Sequence, residues 1–242
     1  MGKIINSCYI KPACLLFLLT APLNNHAQDT ALNKYGLWVI SSARHYRASV
    51  GKHPGKAMVD LKKSVPGLLF DLRYASNNNF MKTKLYPPLN TTFLRKPVAM
   101  ALAAVQQDLK KRGLGLKILD AYRPYSVTEK MWELIKDERY AANPRYGSGH
   151  NRGISVDLTL VDIKTKHPLN MGTEFDNFSD TAHHGFTALP IEILQNRLLI
   201  RTIMEKNGFA ALETEWWHYS FANGRVYELL DINFSELSKR TR

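Results

Sequence analysis

Polar and apolar residues alternate along VPGLLFDLRYAS (65–76). Leu68, Phe70, Leu72 and Tyr74 oppose Leu69, Asp71 and Arg73, a period of two that predicts a strand. NNN (77–79) and YPPLN (86–90) are turn material. Pro97 then opens a helix with Val98, Leu102, Val105 and Leu109 on one face, and Gly113 closes it. LKILDAY (116–122) reads as a short buried strand. Ser126 and Glu129 have the spacing of a capping box for a helix over 127–139. After a loop with Asn143, Pro144, Gly147 and Gly149 comes ISVDLTLVD (154–162), again with period two. A third helix starts at Pro190, with Leu194, Leu198 and Met204 as its buried candidates, and stops at Gly208. EWWHYSF (215–221) predicts the last strand. Residues 28–64 show no comparable period. The expectation is a single α+β domain over 65–242 preceded by an N-terminal extension, 28–64.

Composition narrows this picture. The chain has 242 residues, 45% of them hydrophobic and 22% charged, the balance of a globular protein with a real core. Its 2 cysteines are Cys8 and Cys14, which excludes a disulfide scaffold and a thiolate zinc ribbon. Lys3 and Lys11 precede the apolar run ACLLFLLTAPL (13–23), and small Ala27 follows. That order predicts a secretory signal over 1–27 and an exported protein with no stable membrane insertion once it is removed. Losing Lys3 and Lys11 takes the net charge from +12 to +10. The basic residues are dispersed, with no arm of like charge and no finger or RNA-recognition signature, so no nucleic-acid partner is expected.

Three segments carry candidate chemistry. In SGHNRGISVDLTL (148–160), Ile154, Val156, Leu158 and Leu160 take one face of a strand, and Ser155, Asp157 and Thr159 take the other. His150 lies seven positions before Asp157, too far along a straight element to share a metal ion, so the chain must turn back between them. Gly153 supplies the freedom for that turn. An imidazole and a carboxylate brought together suit zinc. Taken alone, the segment also fits a turn histidine and a surface aspartate. In ETEWWHYSF (213–221), Glu215 and His218 converge only if Glu215 lies in a bend before the strand. Then His218 can be a third ligand and Glu215 the base that deprotonates a water. Trp216 and Trp217 either wall such a site or belong to the core. In LDAYRPYS (119–126), Arg123 precedes Pro124 and is biased toward extended backbone, where a fixed guanidinium can stabilise an oxyanion.

Together, SxHxxGxxxD at 148–157, ExxH at 215–218 and YRP at 122–124 resemble the zinc D-alanyl-D-alanine dipeptidases of the VanX type. These belong to a wider group that includes D,D-carboxypeptidases and the hedgehog signalling domain. The resemblance covers most of the chain after about residue 65. It implies a hedgehog-like α+β fold, a mixed or antiparallel sheet packed with helices. It implies one Zn2+ per chain on His150, Asp157 and His218, with Glu215 as base and Arg123 stabilising the transition state. DLRYASNNNF (71–80) is similar to the segment carrying a substrate-contacting tyrosine, here Tyr74. MGTEFDNFSD (171–180) resembles the segment whose aspartate receives the substrate's amino group, here Asp176, and Ser148 matches a serine near the substrate. The implied substrate is D-Ala-D-Ala. A D,D-carboxypeptidase acting on longer wall peptides and a non-catalytic zinc-stabilised binding module are the alternatives. Export points to turnover of wall-derived dipeptide. His183 and His184, near the site in sequence order, are expected to be structural.

Overall fold

The computed structural model describes residues 1–2, 32–222 and 224–239. Apart from its first two residues, the expected signal segment lies outside these. In chain order the elements are β1 (Val39–Ile40), α1 (Ala43–Lys52), β2 (Met58–Asp60), α2 (Leu61–Ser64), β3 (Leu69–Phe70), β4 (Phe93–Arg95), α3 (Lys96–Lys110) and β5 (Leu114–Asp120). They continue with α4 (Tyr125–Leu134), α5 (Gly149–Arg152), β6 (Ser155–Asp162), α6 (Ile191–Lys206), β7 (Phe209–Leu212), β8 (Glu215–Phe221), β9 (Leu229–Leu230) and α7 (Phe234–Ser238). No helix among the described residues is long and apolar enough to cross a membrane.

The central sheet has five strands in the order β3-β5-β6-β8-β7. Only β3 and β5 run parallel, so the sheet is mixed, as the α+β reading expects. Helices α3 and α6 pack against it and against each other. The predicted stripe of α3 is buried in full: Val98, Leu102, Val105 and Leu109. Val156, Leu158 and Leu160 of β6 join the same core. The other face of β6, with Ser155, Asp157 and Thr159, is buried too, and Asp157 on it lines the functional site.

Residues 39–64, expected as an extension, pair and pack with the rest. β2 runs antiparallel to β4, β1 runs parallel to β9, and Leu61 is fully buried in the core.

Three local expectations differ from what forms. The strand predicted over 65–76 shrinks to β3. After two residues beside β5 at the sheet edge, the chain tightens into a 3-10 turn over Arg73–Ala75 that carries Tyr74 inward. Ser126 does not cap its helix: its backbone N–H and its hydroxyl both donate to Asp231, and α4 stops at Leu134. In α6 the buried face runs through Ile193, Arg197, Ile200 and Met204, while Leu198 is 64% exposed. A buried arginine in the stripe shifts the apolar phase read from sequence.

Candidate active site

The site lies where β5, β6 and β8 run side by side. Asp120 pairs with Asp157, and Asp157 with His218, so three neighbouring strands present polar side chains to one face. His150 reaches the same place from α5. Ser148 caps that short helix by accepting from the His150 N–H at 3.2 Å, and Asn151 returns the bond to the Ser148 N–H at 2.9 Å. Gly153 ends α5 at φ +70° and sends the chain into β6. A side chain there would face the left-handed penalty and would meet the Met58 sulfur at 2.5 Å. The turn-back expected between His150 and Asp157 is therefore built by a cap, one helical turn and a left-handed glycine.

Its product is a tight cluster. His218 Nδ1 lies 2.9 Å from Asp157 Oδ1, and His150 Nε2 lies 3.4 Å from Asp157 Oδ2 and 3.2 Å from His218 Nδ1. The other ring nitrogen of His150, Nδ1, sits 2.7 Å from the Ala121 carbonyl, which fixes Nδ1 as the protonated one and aims the Nε2 lone pair into the site. Two imidazole nitrogens and a carboxylate converging within 4.8 Å fit a divalent metal ion, and this is the group among the described residues that can hold one. Burial alone would raise the Asp157 carboxyl. The two imidazoles instead hold it well below the usual carboxylate range.

Glu215 joins the cluster through a strand irregularity. Ala211 of β7 pairs with Tyr219, but the next residue, Leu212, pairs with Glu215, so β8 bulges between them. The bulge brings Glu215 Oε2 to 3.9 Å from His218 Nδ1, although the two are three residues apart on one strand. Burial raises the Glu215 carboxyl to about 7. Trp217 lines the cavity, whereas Trp216 lies outside its lining and donates from its indole to Thr173 at 2.8 Å.

Arg123, Tyr74, Ser148 and Asp176 line the same cavity, of about 230 Å³. The Arg123 guanidinium lies 4.0 Å from Asp157 and over the Tyr74 ring at 5.1 Å. Tyr74 donates its hydroxyl to the Asp176 carboxylate at 3.1 Å. Asp176 takes φ +59°, a left-handed conformation that aspartate tolerates better than most residues. Burial, reinforced by the charge of Asp157, pushes its carboxyl well up. His183 and His184 are not part of this lining.

Asp120 was not singled out from the sequence. It is fully buried behind the cluster, accepting Arg123 Nε and Nη2 at 3.1 and 2.9 Å and the Tyr86 hydroxyl at 3.0 Å. A carboxylate ending the apolar run LKIL, three residues before Arg123, was the signal available for it. Phe80 and the 138–142 segment also line the cavity, and no residue pattern marks them in advance.

A buried cluster able to hold a metal ion, a neighbouring carboxyl with a raised pKa and a fixed guanidinium make an arrangement suited to metal-assisted hydrolysis. The family model of peptidase M15, D-ala-D-ala dipeptidase, matches residues 55–239, and the chain belongs to this family of peptidases. It is 34% identical over 178 residues to the D-alanyl-D-alanine dipeptidase of Escherichia coli, covering 74% of this chain and 91% of that protein. The enzyme of the same name from Enterococcus faecalis is 31% identical over 178 residues, with 66% and 88% covered. Among solved structures, that of the LD-carboxypeptidase LdcB aligns with 62% of this chain and 70% of its own, at 19% identity and a TM-score of 0.37.

Proposed function

We propose that this peptidase is a zinc-dependent dipeptidase that hydrolyses D-alanyl-D-alanine to two D-alanines, in the turnover of cell-wall peptides. The observation that carries the reading is the sharing of one cavity of about 230 Å³ by the His150–Asp157–His218 cluster, Glu215 and the Tyr74–Asp176 pair. The two relatives described above bear the name of that activity.

His150, Asp157 and His218 would hold the ion. When bound, zinc polarises the scissile carbonyl and acidifies water. Glu215 accepts the proton of the attacking water and passes it to the leaving amine, a task suited to a carboxyl whose pKa lies near neutrality. Arg123, held by Asp120, faces the oxygen that becomes negative as the carbonyl turns tetrahedral. Asp176, oriented by Tyr74, receives the ammonium of a free dipeptide. Ser148 stands beside His150 on the cavity wall. A free amino terminus so close to the scissile bond selects a dipeptide over a longer chain. The basic, apolar and small-residue order of 1–27 supports export, and an exported enzyme would meet wall-derived dipeptide.

The test is amine release from D-Ala-D-Ala, L-Ala-L-Ala and N-acetyl-D-Ala-D-Ala, with and without a chelator. Chelator-sensitive cleavage of the free D,D-dipeptide alone is expected. Equal cleavage of the acetylated peptide would overturn the dipeptidase reading in favour of a carboxypeptidase. Glu215→Gln is expected to keep its zinc and to lose about 10²–10⁴-fold in kcat.

A further inference from the structure

Arg197 is a cation in the wrong place for a surface helix. It sits on the inner face of α6, 3% exposed, and among the described residues no carboxylate pairs with it. Two of its nitrogens donate to backbone carbonyls of one loop segment, while Nη2 is buried without a partner among the described residues. Nε donates to Met171 O at 2.8 Å, and Nη1 donates to His183 O at 3.1 Å. The neighbouring Asn196 adds a bond from Nδ2 to Asn170 O at 3.0 Å. Burying a guanidinium without a counter-charge is unfavourable, and a methionine or leucine would fill the same space. What only a guanidinium offers is a rigid fork that can span two acceptors at once.

The two carbonyls begin and end one excursion of the chain, residues 171–183. At its start Gly172 takes φ +85° and passes so close to α6 that a Cβ would lie 2.9 Å from Ile193 and 3.3 Å from Arg197 Nη2. Beyond it Thr173 accepts the Trp216 indole, Phe175 packs edge-on against Tyr74 and Trp217, and Asp176 projects into the catalytic cavity with its left-handed backbone. Apart from one short 3-10 turn, Asp180–Ala182, the excursion has no secondary structure to hold its shape. Its shape therefore depends on these side-chain contacts and on whatever joins its ends.

We propose that Arg197 is a positioning residue for substrate binding: by pinning both ends of the 171–183 excursion to α6, its guanidinium sets where Asp176 meets the substrate's ammonium group. The proposal rests on the reading of Asp176 given above. Arg197 lines no part of the catalytic cavity and touches none of the metal-ligand set, so its loss acts on substrate binding and spares the reacting groups.

The test combines kinetics with hydrogen exchange on the full chain loaded with zinc. Arg197→Met, similar in length but without donors, is expected to raise KM for the free dipeptide about tenfold or more while kcat moves by less than about threefold. Zinc content should be unchanged. Backbone amides of 172–182 should exchange about tenfold faster or more, with those of β6 and β8 unaltered. Arg197→Lys, which keeps the charge but lacks the fork, should fall between the two proteins in both readouts, and it serves as the measured variant if Arg197→Met does not fold. A lower Tm with KM and the exchange of 172–182 unchanged would overturn the proposal. Asp176→Asn separates the two claims. If it leaves KM unaltered, the ammonium reading fails, while faster exchange of 172–182 in the Arg197 variants would still show the clamp.

Discussion

Asp157 on β6 and His218 on β8 face each other in register across the sheet, with Oδ1 and Nδ1 2.9 Å apart. Two of the three candidate ligands are thus a cross-strand pair, set by the same alternation that buries Val156 and Leu158 on the opposite face. His150 alone arrives from outside the sheet.

Removing the carboxylate charge from this pair should cost metal. Asp157→Asn leaves two imidazoles and a neutral amide, a poorer set for zinc. Zinc affinity is expected to fall by more than the roughly 10–100-fold that loss of an outer hydrogen-bonding partner costs. Zinc content after dialysis against a buffered chelator measures this. Full retention of zinc by the variant would remove Asp157 from the ligand set.

Parts of this arrangement were legible in the sequence because they are local. The stripe of α3, bounded by Pro97 and Gly113, and the alternation of β6 each follow from a repeat within one element. The turn at Gly153 followed from a reach argument between His150 and Asp157. The rest depends on contacts between distant segments. The bulge that brings Glu215 beside His218 comes from how β8 pairs with β7, and no period within ETEWWHYSF encodes it. Asp120 resembles any aspartate at a strand end until Tyr86 and Arg123 close on it. In α6 the buried Arg197 interrupts the apolar stripe, so Leu194 and Leu198 read as core when Ile193 and Ile200 hold that place. The strands within 39–64 have two or three residues each, too short for any period to show.

Asp120 should behave as the anchor of Arg123. It takes two charge-assisted bonds from the guanidinium, and among the described residues no other side chain hydrogen-bonds that guanidinium. Asp120→Asn leaves the guanidinium buried without its nearest counter-charge, at an expected cost of about 3 kcal/mol in stability. The rate of dipeptide hydrolysis should fall with it, while zinc content should not. Denaturant unfolding and kcat measured on the same preparation check both halves. A variant of unchanged kcat would show that Arg123 is placed without Asp120.

Gly149 is required by a close approach between α5 and β6. A Cβ there would lie 1.9 Å from Ser155 Oγ and 3.3 Å from Ser220 Oγ, inside the pair those hydroxyls form at 2.6 Å. Gly149→Ala should destabilise the protein by about 1–3 kcal/mol, and because His150 is the next residue it should weaken zinc retention as well. Removing the obstructing hydroxyl in the double variant Gly149→Ala, Ser155→Ala should recover part of the loss. If the double variant is no more stable than the single one, the clash is not the cause.

His184 should make the fold sensitive to acid. Burial holds its imidazole neutral and lowers its pKa from 6.5 to about 4, with the Arg201 and Arg197 charges adding to the effect and Glu213 and Glu205 opposing it. The unfolded chain therefore takes up a proton near pH 6.5 that the folded chain refuses until about pH 4. Above pH 6.5 His184 is neutral in both states and exerts no pull, and as pH falls through this window acid favours unfolding. Discounted for the solvent that reaches the ring, the loss is about 2 kcal/mol. His184→Gln cannot take up the proton, so its stability should fall less steeply than that of the unaltered protein between pH 6.5 and about 4. Urea unfolding of both proteins at pH 7.5 and at about pH 4.5 reads the difference. Parallel pH dependences would mean that His184 is protonated as readily in the folded chain as in the unfolded one.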